Sequence, residues 1–456
     1  MTRAAGAILE RDVSRSADTT GVCSAASGQP PIRRVLMICA AFPPTGGPGV
    51  QRSSKFARYL PCFGWTPTVW TTVHLPQLPR DESLAADLPE GLDVRRTAVP
   101  AICTSDTTRH WRWRRVRRVL AECMVPDPLV GWARRSFGPL SRLLADEPID
   151  AIYSTFSPPS AHLLGRRLQR AIGVPWIADF RDLWTDDYAY AAPRWRRMLD
   201  RRIENTLLRS ADRVVAVTDA QRDILADHAP DRCHRFVTIT NGVDLADLPS
   251  ADDEPVRAAL HGPADRFVLL FCGWFLSDRV PDALVGGLRR FAAWCRSQDR
   301  EPELRIVGAI GASVRDRMAA SDVRVVTTGY VPHDAALRHM RAADALLLLV
   351  PTAGTGYSLI PGKCFEYIAA NRPIVLIGPP DGQAARYVRQ FDAGVVSPPH
   401  ADDIAVALDQ VMKRGARAVA PMADPVRLQA ISRRNLTGQL ADVLNEVVEQ
   451  RRRTTP

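Results

Sequence analysis

The chain has 456 residues, 46% hydrophobic and 24% charged, the balance of a globular protein, so fibrous and disordered classes are excluded and the length asks for two domains. Its net charge of +10 rests on 57 arginines and 3 lysines, a ratio that reflects compositional bias as much as a binding surface. No zinc finger, capped recognition helix or aromatic RNA-binding pair accompanies it, so nucleic acid is not an expected partner.

Nine cysteines, at 23, 39, 62, 103, 123, 233, 272, 295 and 364, never form a close CxxC pair. That pattern predicts reduced, mostly buried thiols in the cytoplasm rather than a disulfide framework or zinc site. Residues 1–31 are rich in Ser, Ala, Gly and Thr, end in Pro30-Pro31 and lack a continuous apolar core; they read as a disordered lead and not a signal peptide. The apolar runs, such as Ala345 to Val350, are too short to span a bilayer.

A first domain over residues 32–246 opens with the strand Val35-Leu36-Met37-Ile38-Cys39, a glycine loop, a helix over residues 50–60 and a strand over 65–71. Strands follow at Ala151-Ile152-Tyr153, at Trp176 to Asp179 and at Arg213 to Val217, with a helix over residues 160–171 and a longer one through Ile203 and Leu207. Strands this apolar, separated by helices, predict a parallel sheet covered on both faces. Asn241-Gly242 marks a turn, and the polar residues 247–255 read as the linker.

A second domain over residues 247–425 repeats this grammar, with strands at 267–271, 304–307, 323–326, 345–350, 374–377 and 394–396. Beyond residue 410 the pattern turns helical, and Leu440, Leu444, Val447 and Val448 in residues 426–456 share one spacing. The fold class is α/β: two Rossmann-like domains facing a cleft.

The most informative motif is Ser358-Leu359-Ile360-Pro361-Gly362-Lys363-Cys364-Phe365-Glu366-Tyr367, a turn entering a helix at the mouth of a predicted parallel sheet, where open α/β folds bind nucleotides. Phosphates take backbone amides and a cation, and ribose takes a carboxylate. Lys363 and Glu366 offer both, although a lysine at a helix start and a structural ion pair would read similarly. Together with Ala41-Phe42-Pro43-Pro44-Thr45-Gly46-Gly47, Asp179-Phe180-Arg181-Asp182 and Thr240-Asn241-Gly242-Val243-Asp244, this motif resembles the retaining glycosyltransferases of family four, which have the GT-B architecture.

The resemblance implies a C-terminal helix crossing back to the first domain and a nucleotide-sugar co-substrate, UDP-, GDP- or dTDP-linked, with no other cofactor. It places Glu366 on the ribose, Lys363, Gly273 and the substitute cation Arg279 near the diphosphate, and the backbone around Val331 at the nucleobase. Gly46 and Gly47 border the reaction centre. Ser358 stands where the family often carries a glutamate, a departure resembling branches that act on amino or deoxy sugars. Asp179, Arg181 and Asp182 come directly off a strand and are the catalytic candidates, with Arg181 pairing one aspartate while the other orients the acceptor; a pair that only fixes the loop is the competing account. The histidine many members carry after the strand ending at Tyr153 is absent, and His162 reads as a core or cap residue. No protein-bound metal is expected, since no HExxH, Asp-x-Asp or close His/Cys set occurs.

The expected activity is retaining transfer of a sugar from a nucleotide sugar to a small-molecule or lipid-linked acceptor. A non-catalytic nucleotide- or glycan-binding protein with a decayed cleft, or a nucleotide-sugar epimerase or sugar phosphate synthase on the same fold, are the alternatives. The expected location is the cytoplasm, with a basic-aromatic stretch from Arg109 to Leu120, and a second from Trp132 to Phe137, offering contact with an anionic membrane at its inner face.

Overall fold

The structure is a computed structural model that describes residues 33–47, 49–73, 75, 78–99, 124–249, 254–261, 266–275, 282–415 and 424–454. The N-terminal lead, Arg279 and the stretch from Arg109 to Leu120 lie outside the described residues.

Seven strands build the first sheet: β1 (Arg33–Ile38), β2 (Trp65–Thr72), β3 (Asp93–Thr97), β4 (Ala151–Phe156), β5 (Trp176–Phe180), β6 (Arg213–Ala216) and β7 (Phe236–Thr238). All pairs are parallel, in the order β3-β2-β1-β4-β5-β6-β7. Alternation along β1 explains the layers: Leu36 and Ile38 enter the core on one face, Val35 and Met37 the core on the other. β3, half-buried and charged, is a strand that apolar patterning did not predict.

The second sheet contains β8 (Arg266–Cys272), β9 (Glu301–Val307), β10 (Arg324–Gly329), β11 (Ala345–Leu349), β12 (Ile374–Ile377) and β13 (Gly394–Ser397), parallel in the order β10-β9-β8-β11-β12-β13. Leu346 and Leu348 of β11 enter one core and Leu347 and Leu349 the other. In each sheet the strand order reverses beside the domain's first strand, which opens a crevice beyond the strands' carboxyl ends.

Seven helices matter for function: α1 (Val50–Tyr59), α2 (Val130–Asp146), α3 (Pro159–Ile172), α4 (Arg194–Ser210), α5 (His333–Ala342), α6 (Gly362–Ala370) and α7 (Arg433–Thr454). α7 crosses back to the first domain, as expected. Leu436, Leu440, Leu444, Val447 and Val448 join the core of Val35, Met37, Phe56 and Trp65, each burial contributing about 1.5–3 kcal/mol. Its Asn445 Oδ1 accepts from Arg33 Nη1 at 2.6 Å and Trp65 Nε1 at 3.1 Å. The chain returns at Arg433, whose N–H donates to Val243 O, while Val243 N–H donates to Ile431 O.

Cys39, Cys272, Cys295 and Cys364 are shielded thiols and Cys233 an exposed one. Cys62 is disulfide-bonded, against the expectation of thiols throughout. Trp132 corrects the reading of the second basic-aromatic stretch: its indole is fully buried and donates to Thr97 Oγ1 at 2.7 Å. That tryptophan anchors α2 to the core.

Candidate active site

The second domain's wall is assembled where β8 ends and α6 begins. Pro361 precedes the first helical residue of α6 and Asn371 ends it in the left-handed region at φ 55°, so the helix is set as a short stop between sheet strands. The side chain of Lys363 crosses to β8, placing Nζ 3.8 Å from the centroid of the Phe271 ring. A Cβ on Gly273 would lie 3.0 Å from that ammonium, and Gly273 has φ 121°, so glycine is what lets cation and backbone meet. Burial, and then the charge of Glu366, push the neighbouring Cys272 thiol up to about 12.

Glu366, three residues along α6, keeps a side chain 15% exposed, with Oε1 4.0 Å from His333 Nδ1. The same imidazole nitrogen lies 3.1 Å from Gln51 Nε2 of the first domain. Val331 is half-buried against the second domain's core, next to the Gly329 turn at φ 73°. Ser358 is fully buried: its hydroxyl donates to Thr355 O at 2.7 Å and its carbonyl accepts from Thr218 Oγ1 at 2.8 Å. The hydroxyl of Ser358, a donor-binding candidate by its place before α6, is thus taken up by the turn at Gly354–Ser358.

The opposite wall begins with the loop after β1. Gly46 N–H donates to Pro79 O at 2.7 Å, a Cβ there would approach the Tyr330 hydroxyl to 3.0 Å, and Gly47 has φ 119° with open space around it. The Arg181 guanidinium fills the space a side chain would need at Gly49. Arg181 Nε also donates to Phe156 O, and Asp182, half exposed, lies 3.9 Å from it. The glycine loop, the end of β4 and the residues after β5 thus converge, as the sequence order suggested.

Asp179 does not share that exposure. It is 0% exposed and bound by Arg52 through two hydrogen bonds of 2.9 Å, by the Tyr153 hydroxyl at 2.6 Å and by Thr155 Oγ1 at 3.2 Å. Arg52 donates further to the carbonyls of Ile239 and Thr240. Burial works to raise the Asp179 carboxyl, but the charge and hydrogen bonds of Arg52 outweigh it and hold the group below the usual carboxylate range. Of the two aspartates, Asp182 is the one beside Arg181; the partner of Asp179 is Arg52, and this pair ties α1 to β5 and the chain after β7. An arginine on the core side of the predicted helix 50–60 was the sequence signal for it.

His162 lies in the core as expected, with Nδ1 2.7 Å from Ser154 Oγ. Lys55 holds Asp87, Asp244 and Asp247 within 2.5–2.7 Å of its ammonium. Sequence reasoning also missed a direct bridge between the walls: the Tyr330 hydroxyl donates to Asp81 Oδ2 at 2.6 Å. Thr355 Oγ1 adds another, donating to Asp186 O at 2.7 Å.

Residues 55–247 match the family model described as Glycosyltransferase Family 4. The chain is 30% identical over 265 residues to a D-inositol 3-phosphate glycosyltransferase of Saccharomonospora viridis, covering 54% of this chain and 58% of the relative. It is 33% identical over 182 residues to another from Kineococcus radiotolerans, covering 38% and 41%. The chain thus spans less than two thirds of the length of these relatives. Among solved structures, sucrose-phosphate synthase from Thermosynechococcus elongatus superposes with a TM-score of 0.62 at 16% identity, over 92% of this chain and 100% of that one. Anabaena HepE in complex with UDP superposes with a TM-score of 0.60 at 16% identity, over 91% and 100%. At such identities the likeness is one of fold, two Rossmann-like domains facing a cleft. Residues 55–247 are thus similar to Glycosyltransferase Family 4, on a chain whose two Rossmann-like domains have the GT-B fold.

Proposed function

We propose that this protein transfers a sugar, with retention, from a nucleotide-sugar donor to a small-molecule or lipid-linked acceptor. The observation that carries the reading is the meeting of Lys363 with the Gly273 backbone, one turn of α6 from Glu366 and across the cleft from Gly46. A diphosphate takes the ammonium and amides, and ribose hydroxyls take the carboxylate.

In the reaction the bond from the anomeric carbon to the diphosphate oxygen breaks while the acceptor oxygen bonds the same carbon from the same face. The acceptor proton passes to the departing phosphate oxygen. Such a step needs charge stabilisation and positioning rather than a protein nucleophile. Lys363 stabilises the leaving group; Arg181 and Asp182, on the opposite wall, orient the acceptor; Asp179 acts behind them as the anchor of that wall. The relatives' names, which specify an inositol phosphate, make a polyol phosphate the first acceptor to test, and the UDP complex of the Anabaena structure makes UDP the first nucleotide.

Calorimetric titration with UDP, GDP and dTDP tests the donor half. Lys363→Ala should weaken the preferred diphosphate roughly tenfold, ~1.4 kcal/mol, and leave the bare nucleoside unchanged. Equal weakening of both would remove Lys363 from the phosphate site. Mass spectrometry of mixtures with the corresponding nucleotide sugar and an inositol phosphate or lipid-linked glycan then reads the acceptor; nucleotide binding without any glycosylated product would favour a binding protein.

A further inference from the structure

α2, α3 and α4 form one layer over the first sheet, with α3 packed against both neighbours, and their inward residues, among them Trp132, Leu164, Leu168 and Leu207, share one core. The outward side of α4 is unusual. Trp195 is 57% exposed, Met198 61% and Leu199 37%, and the spacing of three and four residues puts them on one stripe of the helix. Scattered exposed apolar residues need no explanation, but a cluster of three with an indole does.

Charge on α4 is sorted with the same strictness. Its two acids, Asp200 and Glu204, are buried: Asp200 accepts from Arg196 Nε and the Tyr190 hydroxyl, each at 2.7 Å, and Glu204 accepts from the Thr185 hydroxyl. The exposed charges are all arginine, and among the described residues no carboxylate forms an ion pair with Arg194, Arg197 or Arg202. Alongside, α2, α3 and α4 enclose a groove of about 410 Å³ in which the apolar Val130, Leu163 and Ile203 lie with Arg134, Arg167 and Arg170.

We propose that this helix layer docks on a bilayer carrying anionic headgroups, with Trp195, Met198 and Leu199 entering the interface and the arginines of α4 and the groove meeting the phosphates. An apolar stripe flanked by cations and free of exposed acid is the pattern of a peripheral membrane element. A second copy of the chain fits worse, because a two-fold contact would set the arginine face against itself. Nucleic acid fits the charge but gives no role to Met198 and Leu199. The surface is separate from the cleft and stands without the proposed reaction. α4 begins after the residue 184–190 segment that touches the Gly354–Ser358 turn, so docking would set the cleft mouth beside the bilayer.

The test is flotation of the full chain with phosphatidylcholine vesicles, with and without about 40% phosphatidylglycerol, at low salt and at about 0.5 M salt, where exposed charge is screened. The wild type should float only with the anionic vesicles at low salt. A triple variant, Trp195→Ala, Met198→Ser and Leu199→Ser, and separately Arg194→Glu with Arg197→Glu, should each lose roughly tenfold in bound fraction. All substituted residues are exposed, so an unchanged melting temperature is expected as the folding control. Absence of wild-type binding at low salt overturns the proposal. So does undiminished binding of both variants, or a wild-type dimer that the triple variant converts to monomer without any vesicle association.

Discussion

At the scale of single residues, burial decides chemistry more firmly than residue type. Asp179 and Asp182 lie three positions apart on one motif, yet one is sealed by Arg52, Tyr153 and Thr155 and the other stands half exposed beside Arg181. The motif was legible in the sequence, but its inward half was not, because Arg52 reaches Asp179 from a helix 127 residues earlier. His162 shows the same control. Its ring lies 4.6 Å from that of Phe180, its Nε2 has no hydrogen-bond partner among the described residues, and burial lowers its pKa to about 3. Between that value and the ordinary one near 6.5 the unfolded chain binds a proton that the folded chain refuses, so stability is complete above ~6.5 and falls as the pH drops, by at most ~1.4 kcal/mol per unit. His162→Gln should flatten the urea-derived stability between pH 6.5 and 4 relative to wild type, leaving the slope from His339, which burial also holds down. A variant with the wild-type slope would locate the acid sensitivity elsewhere.

At the scale of elements, apolar runs announced the interior strands, and a turn entering a short helix announced α6. The half-charged β3 escaped, since an edge strand needs only one covered face. Ser358 also escaped: its place before α6 was plain, but the 3-10 turn that folds its hydroxyl onto Thr355 depends on Gly356, whose missing Cβ would otherwise lie 2.1 Å from Pro351 O. The same economy holds between the ends of β8 and β9. Gly308 has φ 138°, and a Cβ there would lie 2.2 Å from Gly273 O, so backbone packs on backbone directly beneath Lys363. Gly308→Ala combines a disfavoured dihedral with an overlap that no flexible side chain can relieve, a loss of at least ~2 kcal/mol. Chemical denaturation should show that loss, together with weaker nucleotide binding as Gly273 is displaced. A stable variant with normal nucleotide affinity would show that the junction shifts without disturbing the proposed phosphate site.

At the scale of the whole molecule, the two domains meet through two kinds of contact. α7 crosses back and buries its apolar stripe against the first sheet, a permanent tie already visible in the spacing of Leu440, Leu444 and Val447. The rims of the cleft also touch through polar pairs, among them Tyr330 with Asp81, Gln51 with His333, and Thr355 with Asp186. No sequence pattern links such partners, because each pair spans 169 residues or more. Polar rim contacts exchange readily with water and each is worth only ~1 kcal/mol net, so they suit a cleft that can open. The Tyr330–Asp81 bond is the most telling of them, since the same carboxylate accepts from Ser83 at the start of its helix and remains satisfied when the cleft parts. Tyr330→Phe keeps the ring and removes the bridge. It should shift the ligand-free protein toward an open form by a factor of about five, raising the radius of gyration in X-ray scattering while the melting temperature stays put. Saturating nucleotide should draw the variant back to the wild-type profile. Identical scattering of both proteins without nucleotide would reduce the bond to a surface contact and leave the hold on the cleft to α7 and the remaining polar pairs.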